Sequence, residues 1–467
     1  MLDEETVGMS GTPLHSQWDI VIAGAGFSGL VAANIAAKGG LKVLVLERNG
    51  EPGGCAAISG GIIWAPESAE TLAEYVPDGD PDLQRSYCEH FGEAVSWLQS
   101  LDLPISQIEQ LGSLGRGCVM TTGQSGDRHQ FMSLMARGAE AHGATISYKS
   151  SFDRASKHPA GYSVHTEGEW RLPVHARAIL FATGGFQGSP ELLDRFVGSG
   201  AGKSLFLRSV PECTGTGLSV ALDLGGATSR NMHHIYGHTM PDVAIAAADM
   251  QPLTAYLAAK SLIINREGER FVDESEGRLE EVILESGWRQ PDGCYFLIFD
   301  SETYRKYGVD TGISSALPKF DRKARWRAIG ASVIEAVTLQ SLVETLGHRE
   351  HVNSVRALRT ILSYNLACRN QATRELSPPR NHDPIPLVEP PYFAVRARGG
   401  ISATCGGIRI DTECHVLGNS GETVSGLYAA GVDAGGVFGK TYGGFLGWSL
   451  VSGYLAGRSI LRDLHTG

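Results

Sequence analysis

The patterned part of the chain opens on a short unbroken apolar run, Asp19-Ile20-Val21-Ile22-Ala23, which predicts a strand buried on both faces. It feeds directly into Gly24-Ala25-Gly26-Phe27-Ser28-Gly29 and then into Leu30 to Ala37, whose small and apolar side chains predict a helix. Gly39-Gly40 stops that helix, and Leu41 to Leu46 predict a second strand ending at Glu47. Strand, glycine turn, helix and strand in this order make a βαβ unit on a parallel sheet. Two later segments repeat the strand-into-glycine pattern: Ala178 to Phe186, and Gly426 to Gly431. Thr214-Gly215-Thr216-Gly217 predicts the start of a helix through Leu224, and Gly447 to Gly457 predicts another. Apolar runs flank Glu267-Gly268 within Ser261 to Glu274, which predicts a hairpin. Helical periodicity runs from about Asp321 to Cys368, and Pro378-Pro379, Pro384, Pro386 and Pro390-Pro391 stiffen the linker after it. There are no internal repeats.

The first glycine cluster carries chemistry because of its setting. Gly24 permits a tight turn, Gly26 lets the backbone reach a pyrophosphate, and Gly29 lets helix pack on strand. The helix N-terminus favours phosphate charge. Glu47 can accept hydrogen bonds from both ribose hydroxyls, so the unit predicts a dinucleotide site.

Composition narrows the setting. A 467-residue chain with 42% apolar and 19% charged residues is ordinary globular material, in two domains or one with an insertion. Its 59 glycines often come in pairs such as Gly53-Gly54, Gly60-Gly61 and Gly184-Gly185, which allow close backbone approach to a large cofactor. A net charge of -11 without a basic stripe argues against nucleic acid. The eight cysteines form no C-x-x-C pair, which argues against a zinc ribbon or dithiol centre and fits a reducing cytoplasm. Residues 1–17 read as a loose tail with no signal-peptide core, and no run of 18 apolar residues predicts a membrane span. His233, His234 and His238 lack acids at ligand spacing, so no metal is expected.

After Glu47 come Arg48, Gly53-Gly54-Cys55 and Ser59-Gly60-Gly61-Ile62-Ile63-Trp64. Here the chain resembles the fumarate reductase/succinate dehydrogenase flavoprotein superfamily, closest to its 3-ketosteroid dehydrogenase-like branch, which carries a similar G-G-x-x-x-x-S-G-G-x-I-W stretch. The resemblance extends from about Asp19 to Gly457. It implies FAD held by Gly24, Gly26, Phe27, Ser28, Gly29, Glu47, Arg48, Gly54, Cys55, Ser59, Gly60 and Gly61. It adds Ala182, Thr183 and Gly184 from the A-T-G-G turn, and Gly431, Asp433 and Gly447 from the C-terminal segment. No histidine lies between Glu47 and Trp64, so non-covalent FAD is implied. Departures exist. The usual Asp of the Thr214–Gly217 turn is absent, and Val432 stands where the family has a cofactor-contacting Glu, leaving Asp433 as the substitute. The final helix is expected to aim its positive end at the flavin N1/C2 carbonyl.

The same resemblance implies hydride transfer at a C–C or C=C bond next to a carbonyl, with an acid/base and an oxyanion donor. Arg278 occupies the catalytic arginine position of fumarate reductases, where the ketosteroid branch has a tyrosine; it is either the proton-transfer group or a substrate anchor. Ala403 replaces the substrate-binding His of fumarate reductases, and Tyr442 replaces an Arg, so a dicarboxylate is not expected. Tyr442 is the expected hydroxyl donor. Tyr392 lies one step from the branch's P-F-Y-A tyrosine and is either a second donor or core. His238 matches the substrate-facing His near the cap, or is an ordinary hydrogen-bonded His at a domain edge.

The expected fold is α/β: a Rossmann-like FAD-binding domain, residues 1–232 and 385–467, with an inserted α+β cap domain over 233–384. The expected activity is α,β-desaturation of a small cyclic ketone, with or without a carboxylate, in the cytoplasm, with oxygen, quinone or another carrier as electron acceptor. The rivals are an ene-reductase running the step backwards and a flavin-binding electron-transfer or regulatory protein.

Overall fold

A computed structural model describes residues 17–111, 115–121, 128–168, 173–246, 249–276, 281–310 and 319–466. Contacts divide the chain into two units, one of residues 1–192, 210–234 and 403–467, the other of residues 193–209 and 235–402.

The first unit is a sheet with a parallel centre, antiparallel where His415–Leu417 joins it, covered by helices. Strands run in the order His415–Leu417, Thr423–Ala429, Val174–Phe181, Trp18–Ala23, Val43–Leu46 and Thr145–Ser147. Trp18–Ala23 is central, with Ile22 paired to Val45 on one side and Leu180 on the other. From Ile20 to Ala23 its residues are buried and apolar without alternation, as the sequence predicts. The helix Phe27–Lys38 lies against the long helix Phe445–Thr466 at glycine contacts. A methyl on Gly453 would stand 2.6 Å from the Ser28 carbonyl oxygen, so only glycine lets these backbones approach.

An ion cluster pins the end of that long helix to the sheet edge. His415 Nδ1 lies 2.9 Å from Asp411 and Nε2 lies 2.8 Å from Asp463, which also accepts from the Tyr428 hydroxyl. The Asp411 hydrogen bond, with Asp463 adding to it against burial, raises the imidazole to about 9. A raised folded pKa means the stabilisation is complete below the unfolded value of about 6.5 and is lost as pH rises through about 9. The linkage corresponds to no more than about 3 kcal/mol. Thermal melts should therefore fall from pH 6.5 to 9.5, and His415→Gln should flatten that window. A wild-type midpoint that is constant there would refute the coupling.

The second unit is α+β. Its sheet runs Phe206–Leu207, Tyr392–Thr404, Cys294–Asp300 and Leu262–Ile264, with Ile235–Pro241 and Val333–Ala336 also pairing to the Tyr392–Thr404 strand. Helices Leu339–Glu350 and Ser354–Arg369 cover one apolar cluster that includes Leu262, Ile264, Phe296, Ile298, Leu342, Leu346 and Ile361. This unit is wider than the expected 233–384. The strand Phe206–Leu207 pairs with Gly400 and Ile401, which draws both flanks in.

The predicted hairpin over Ser261 to Glu274 forms only in part. The turn is present, with Gly268 at φ 78°, but Leu262–Ile264 pairs with Cys294–Asp300 instead of a returning arm. The reason is a buried ion pair. Glu274 accepts from Arg270 Nη2 at 2.6 Å and from the Ile263 amide at 3.1 Å, with Arg380 at 3.5 Å, and this pulls the segment off the sheet.

Candidate functional site

The dinucleotide fingerprint forms a cradle whose glycines have separate duties. A methyl on Gly24, at φ 109°, would stand 2.4 Å from the Ala182 carbonyl oxygen, and one on Gly29 would stand 2.1 Å from that of Gly24. These two serve packing. A methyl on Gly26 would meet nothing within 4 Å, and one on Gly54 only the Gly26 Cα at 3.9 Å. Gly26 also bridges to Gly53, so the open space above these glycines is shared. Gly26 caps the helix Phe27–Lys38 without a side-chain acceptor. Its first amides are thus left for an anion, reinforced by the helix dipole. Phe27 and Ser28 are buried in that first turn, with Phe27 edge-on to Phe131.

Glu47 ends the second strand as predicted and is buried. Its carboxylate accepts from the Ala25 amide at 2.9 Å and the Asn49 amide at 2.8 Å. Burial raises its carboxyl while those amides oppose the shift. Two amides leave acceptor capacity for ribose hydroxyls, since a carboxylate offers roughly four lone-pair sites. Arg48, next to it, is exposed.

The Ser59-Gly60-Gly61 loop is held from within and from below. The Gly61 amide donates to the Ser59 hydroxyl at 3.1 Å. Arg128, buried, donates to the Gly60 carbonyl at 3.3 Å, and its Nε is where a Gly61 Cβ would stand. Sequence reading missed Arg128, because nothing in its neighbourhood ties it to a loop 68 residues away.

The A-T-G-G turn is held by an acid from the C-terminal segment. Asp433, expected to contact the cofactor, is buried and turned onto the turn itself. Its carboxylate accepts from the Thr183 hydroxyl at 2.8 Å, from the amides of Gly184 at 3.3 Å and Gly185 at 3.1 Å, and from the Thr183 amide. Burial raises its carboxyl against the pull of those donors. Ala182 enters the turn by donating its amide to Ala23 at 3.0 Å, which sets the turn beside Gly24. Gly431, at φ 69°, lies where a methyl would stand 2.5 Å from the Ser28 hydroxyl. A methyl on Gly447 would stand 2.1 Å from the Trp64 carbonyl oxygen and 2.3 Å from the Tyr87 hydroxyl, so the close packing there requires glycine.

The catalytic candidates are dispersed. Arg278 lies outside the described residues. Tyr442, in the first unit, is nearly buried, edge-on to Trp64 at 5.8 Å and stacked on Phe445 at 5.9 Å. His238 and Tyr392 are both in the second unit but are not brought together. His238 has its carbonyl against Gly400, and Tyr392 is eight residues away on the same strand. That is about 26 Å at the usual strand rise. Tyr392 packs against the apolar cluster of that unit, the core alternative left open by the sequence.

His238 has better company than the sequence suggests. Its Nε2 lies 2.8 Å from the Tyr236 hydroxyl, and its ring is edge-on to Tyr256. Burial, and then the charge of Arg208, hold its pKa well below the ordinary value, so it is a neutral imidazole. Arg208 is a second residue that sequence reasoning missed. It donates to Thr254 Oγ1 at 2.9 Å, Gln251 Oε1 at 3.0 Å and Ser402 Oγ at 2.9 Å, all neutral groups. It is half-buried, and among the described residues no carboxylate pairs with it.

An uncapped helix start, open glycines and a buried acid at the next strand's end define a dinucleotide-binding flavoprotein, and the residues present fit FAD. The chain belongs to the FAD binding domain family, whose profile it matches over residues 19–444. It is 26% identical to the fumarate reductase (cytochrome) of Shewanella frigidimarina over 93% of this chain and 75% of that protein. It is 23% identical to the 4-oxocyclohexanecarboxylate 2-dehydrogenase of Sinomonas cyclohexanicum over 96% of this chain and 94% of that protein. Its fold matches 3-ketosteroid delta1-dehydrogenase from Sterolibacterium denitrificans with a TM-score of 0.74 at 18% identity, covering 96% of this chain and 100% of that one. The protein is an FAD-dependent oxidoreductase of the fumarate reductase type, the class that works on CH–CH and C=C bonds. No helix among the described residues is long and apolar enough to cross a membrane, and no group of three or more His, Cys, Asp or Glu side chains arranged to hold a metal ion occurs among them.

Proposed function

We propose that the protein desaturates a small cyclic ketone bearing one carboxylate, at the bond α,β to the keto group. The observation that carries this reading is Arg208, a half-buried cation whose three partners are neutral. A buried charge without a counter-ion is costly, and a ligand carboxylate removes that cost. The neighbouring His238–Tyr236 pair is neutral, which suits an uncharged ring better than a second carboxylate. The Ala403 and Tyr442 departures point the same way, and the Sinomonas relative acts on a substrate of this class.

FAD, when bound, supplies the two-electron acceptor for the hydride. Arg208 holds the carboxylate in the second unit, beside the neutral His238–Tyr236 pair; the resemblance to the family gives Tyr442 the part of hydroxyl donor to the keto oxygen and Arg278 that of exchanging the α proton. Electrons leave to an external carrier such as oxygen or a quinone. None of the eight cysteines is in a disulfide, which supports a cytoplasmic setting.

The test is anaerobic flavin absorbance. Mixing with 4-oxocyclohexanecarboxylate should bleach the yellow holoenzyme within seconds, cyclohexanone should do so weakly, and Arg278→Lys should slow bleaching at least tenfold. No bleaching by any saturated keto acid sinks the reading. A second reading, ene reduction, is favoured by the fumarate reductase relative. In that case dithionite-reduced enzyme regains its colour with the enone, while the saturated ketone leaves the oxidised flavin untouched.

A further inference from the structure

Two cysteines 158 positions apart meet beside the cradle, their sulfurs 3.4 Å from each other. Cys55 follows Gly54, whose open side faces Gly26. Cys213 packs under the A-T-G-G turn, where a methyl on Gly184 would stand 2.9 Å from its sulfur. Gln187, buried, closes the same nook. Its side-chain amide donates to the Gly184 carbonyl at 2.9 Å and lies 3.8 Å from the Cys55 sulfur. The two thiols thus belong to the two chain segments that flank the open glycines, joined by neither sheet nor helix.

We propose that Cys55 and Cys213 are a reversible oxidation site, a dithiol that peroxide converts to a disulfide tying the flavin loop to the segment beneath the A-T-G-G turn. The geometry requires little. A disulfide needs its sulfurs about 2.05 Å apart, so from 3.4 Å they close by about 1.4 Å. The absence of C-x-x-C spacing is no obstacle, because the fold rather than the sequence brings the pair together.

The two cysteines are not equivalent, which fixes the order of events. Cys55 is partly exposed, whereas Cys213 is 3% exposed. The contact with Cys55, then burial, raise the Cys213 thiol well above its usual value. Peroxide therefore meets Cys55 first, giving a sulfenic acid and one water. The Cys213 sulfur then attacks the Cys55 sulfur. The S–S bond forms, the S–O bond breaks, and the departing hydroxide leaves as water with the Cys213 proton. In balance, two thiols and one peroxide give one disulfide and two waters. A small thiol reverses the change by exchange.

The consequence is a stiffer cradle. Oxidation anchors the chain next to Gly54 and closes a loop of 158 positions in the unfolded chain. FAD should then leave more slowly, and the melting midpoint should rise by roughly 5 °C or more.

The experiment uses the FAD-loaded full chain, treated with one to a few equivalents of hydrogen peroxide, then alkylated and mapped by mass. The expected map shows two of the eight thiols lost together, in one peptide pair joining Cys55 to Cys213, and recovered with dithiothreitol. The melting rise and slower FAD release should appear in wild type and be absent from Cys55→Ser and Cys213→Ser. Each variant is compared with itself before and after peroxide, so any change in its starting stability cancels. If a variant does not fold, the wild-type map decides alone. The proposal is overturned if Cys55 proceeds to sulfinic acid with Cys213 still alkylatable, if another pair is joined, or if all eight thiols survive.

Discussion

Replacing Asp433 by alanine is expected to lower folding stability by about 3–5 kcal/mol and the melting midpoint by roughly 10 °C. The carboxylate serves the Thr183 hydroxyl and the amides of Thr183, Gly184 and Gly185 from a position that is 1% exposed. Alanine removes the acceptor and leaves the donors in place. Each orphaned buried donor costs about 1–3 kcal/mol, reduced where a water takes the acceptor's position. Gly184 and Gly185 both hold positive φ, at 96° and 86°, so the turn has little regular structure to fall back on. FAD affinity should fall with stability, because the turn abuts Gly24 through Ala182. Asp433→Asn keeps one acceptor and should lose about half as much, since its amide group faces donors. Melts in saturating FAD and equilibrium dialysis check both. An alanine variant within about 0.5 kcal/mol of wild type, a neutral surface substitution by size, would show that the donors find other partners.

Asp433 also marks where sequence reading stops. The strand Trp18–Ala23, the helix Phe27–Lys38 and the strand Val43–Leu46 were legible because each is a local pattern with a physical reason for every special residue. Glu47 could be placed at the end of its strand from spacing alone. The role of Asp433 was not legible. Its donors lie about 250 positions earlier, and nothing near Gly431 says whether the side chain faces a ligand or a turn. The half-formed hairpin failed for a related reason. Apolar runs around Glu267-Gly268 look alike whether or not the second arm pairs, and the Glu274–Arg270 pair that decides it acquires Arg380 from 106 positions away. Tyr392 stayed open between donor and core because register near Pro391 does not say which face of a 13-residue strand a side chain takes, and it packs against the apolar cluster.

Arg208 belongs to the same class of long-range surprise, and its substitution should have the largest functional effect. In Arg208→Gln the half-maximal concentration for a cyclic keto acid should rise about a hundredfold, equivalent to roughly 3 kcal/mol, while its methyl ester is used as before. The reasoning is one of charge. Thr254, Gln251 and Ser402 orient the guanidinium without neutralising it, so its attraction for an anion is undiluted by an internal partner. Glutamine can still donate to those neighbours but carries no charge. The fold should tolerate the change, because Thr254 keeps its own bond to the Met250 carbonyl at 2.8 Å. A second readout separates anchoring from mere packing. Arg208 is one of two causes that depress the His238 imidazole, burial being the larger. Removing the charge should move the His238 titration upward, visible in its ring-proton shifts against pH, even with no substrate present. If keto acid and ester weaken equally while the His238 titration stays where it was, Arg208 is a structural arginine and the carboxylate reading falls. If the ester is spared and the titration moves, the cation acts on both its ligand and its neighbour by the same unshared charge.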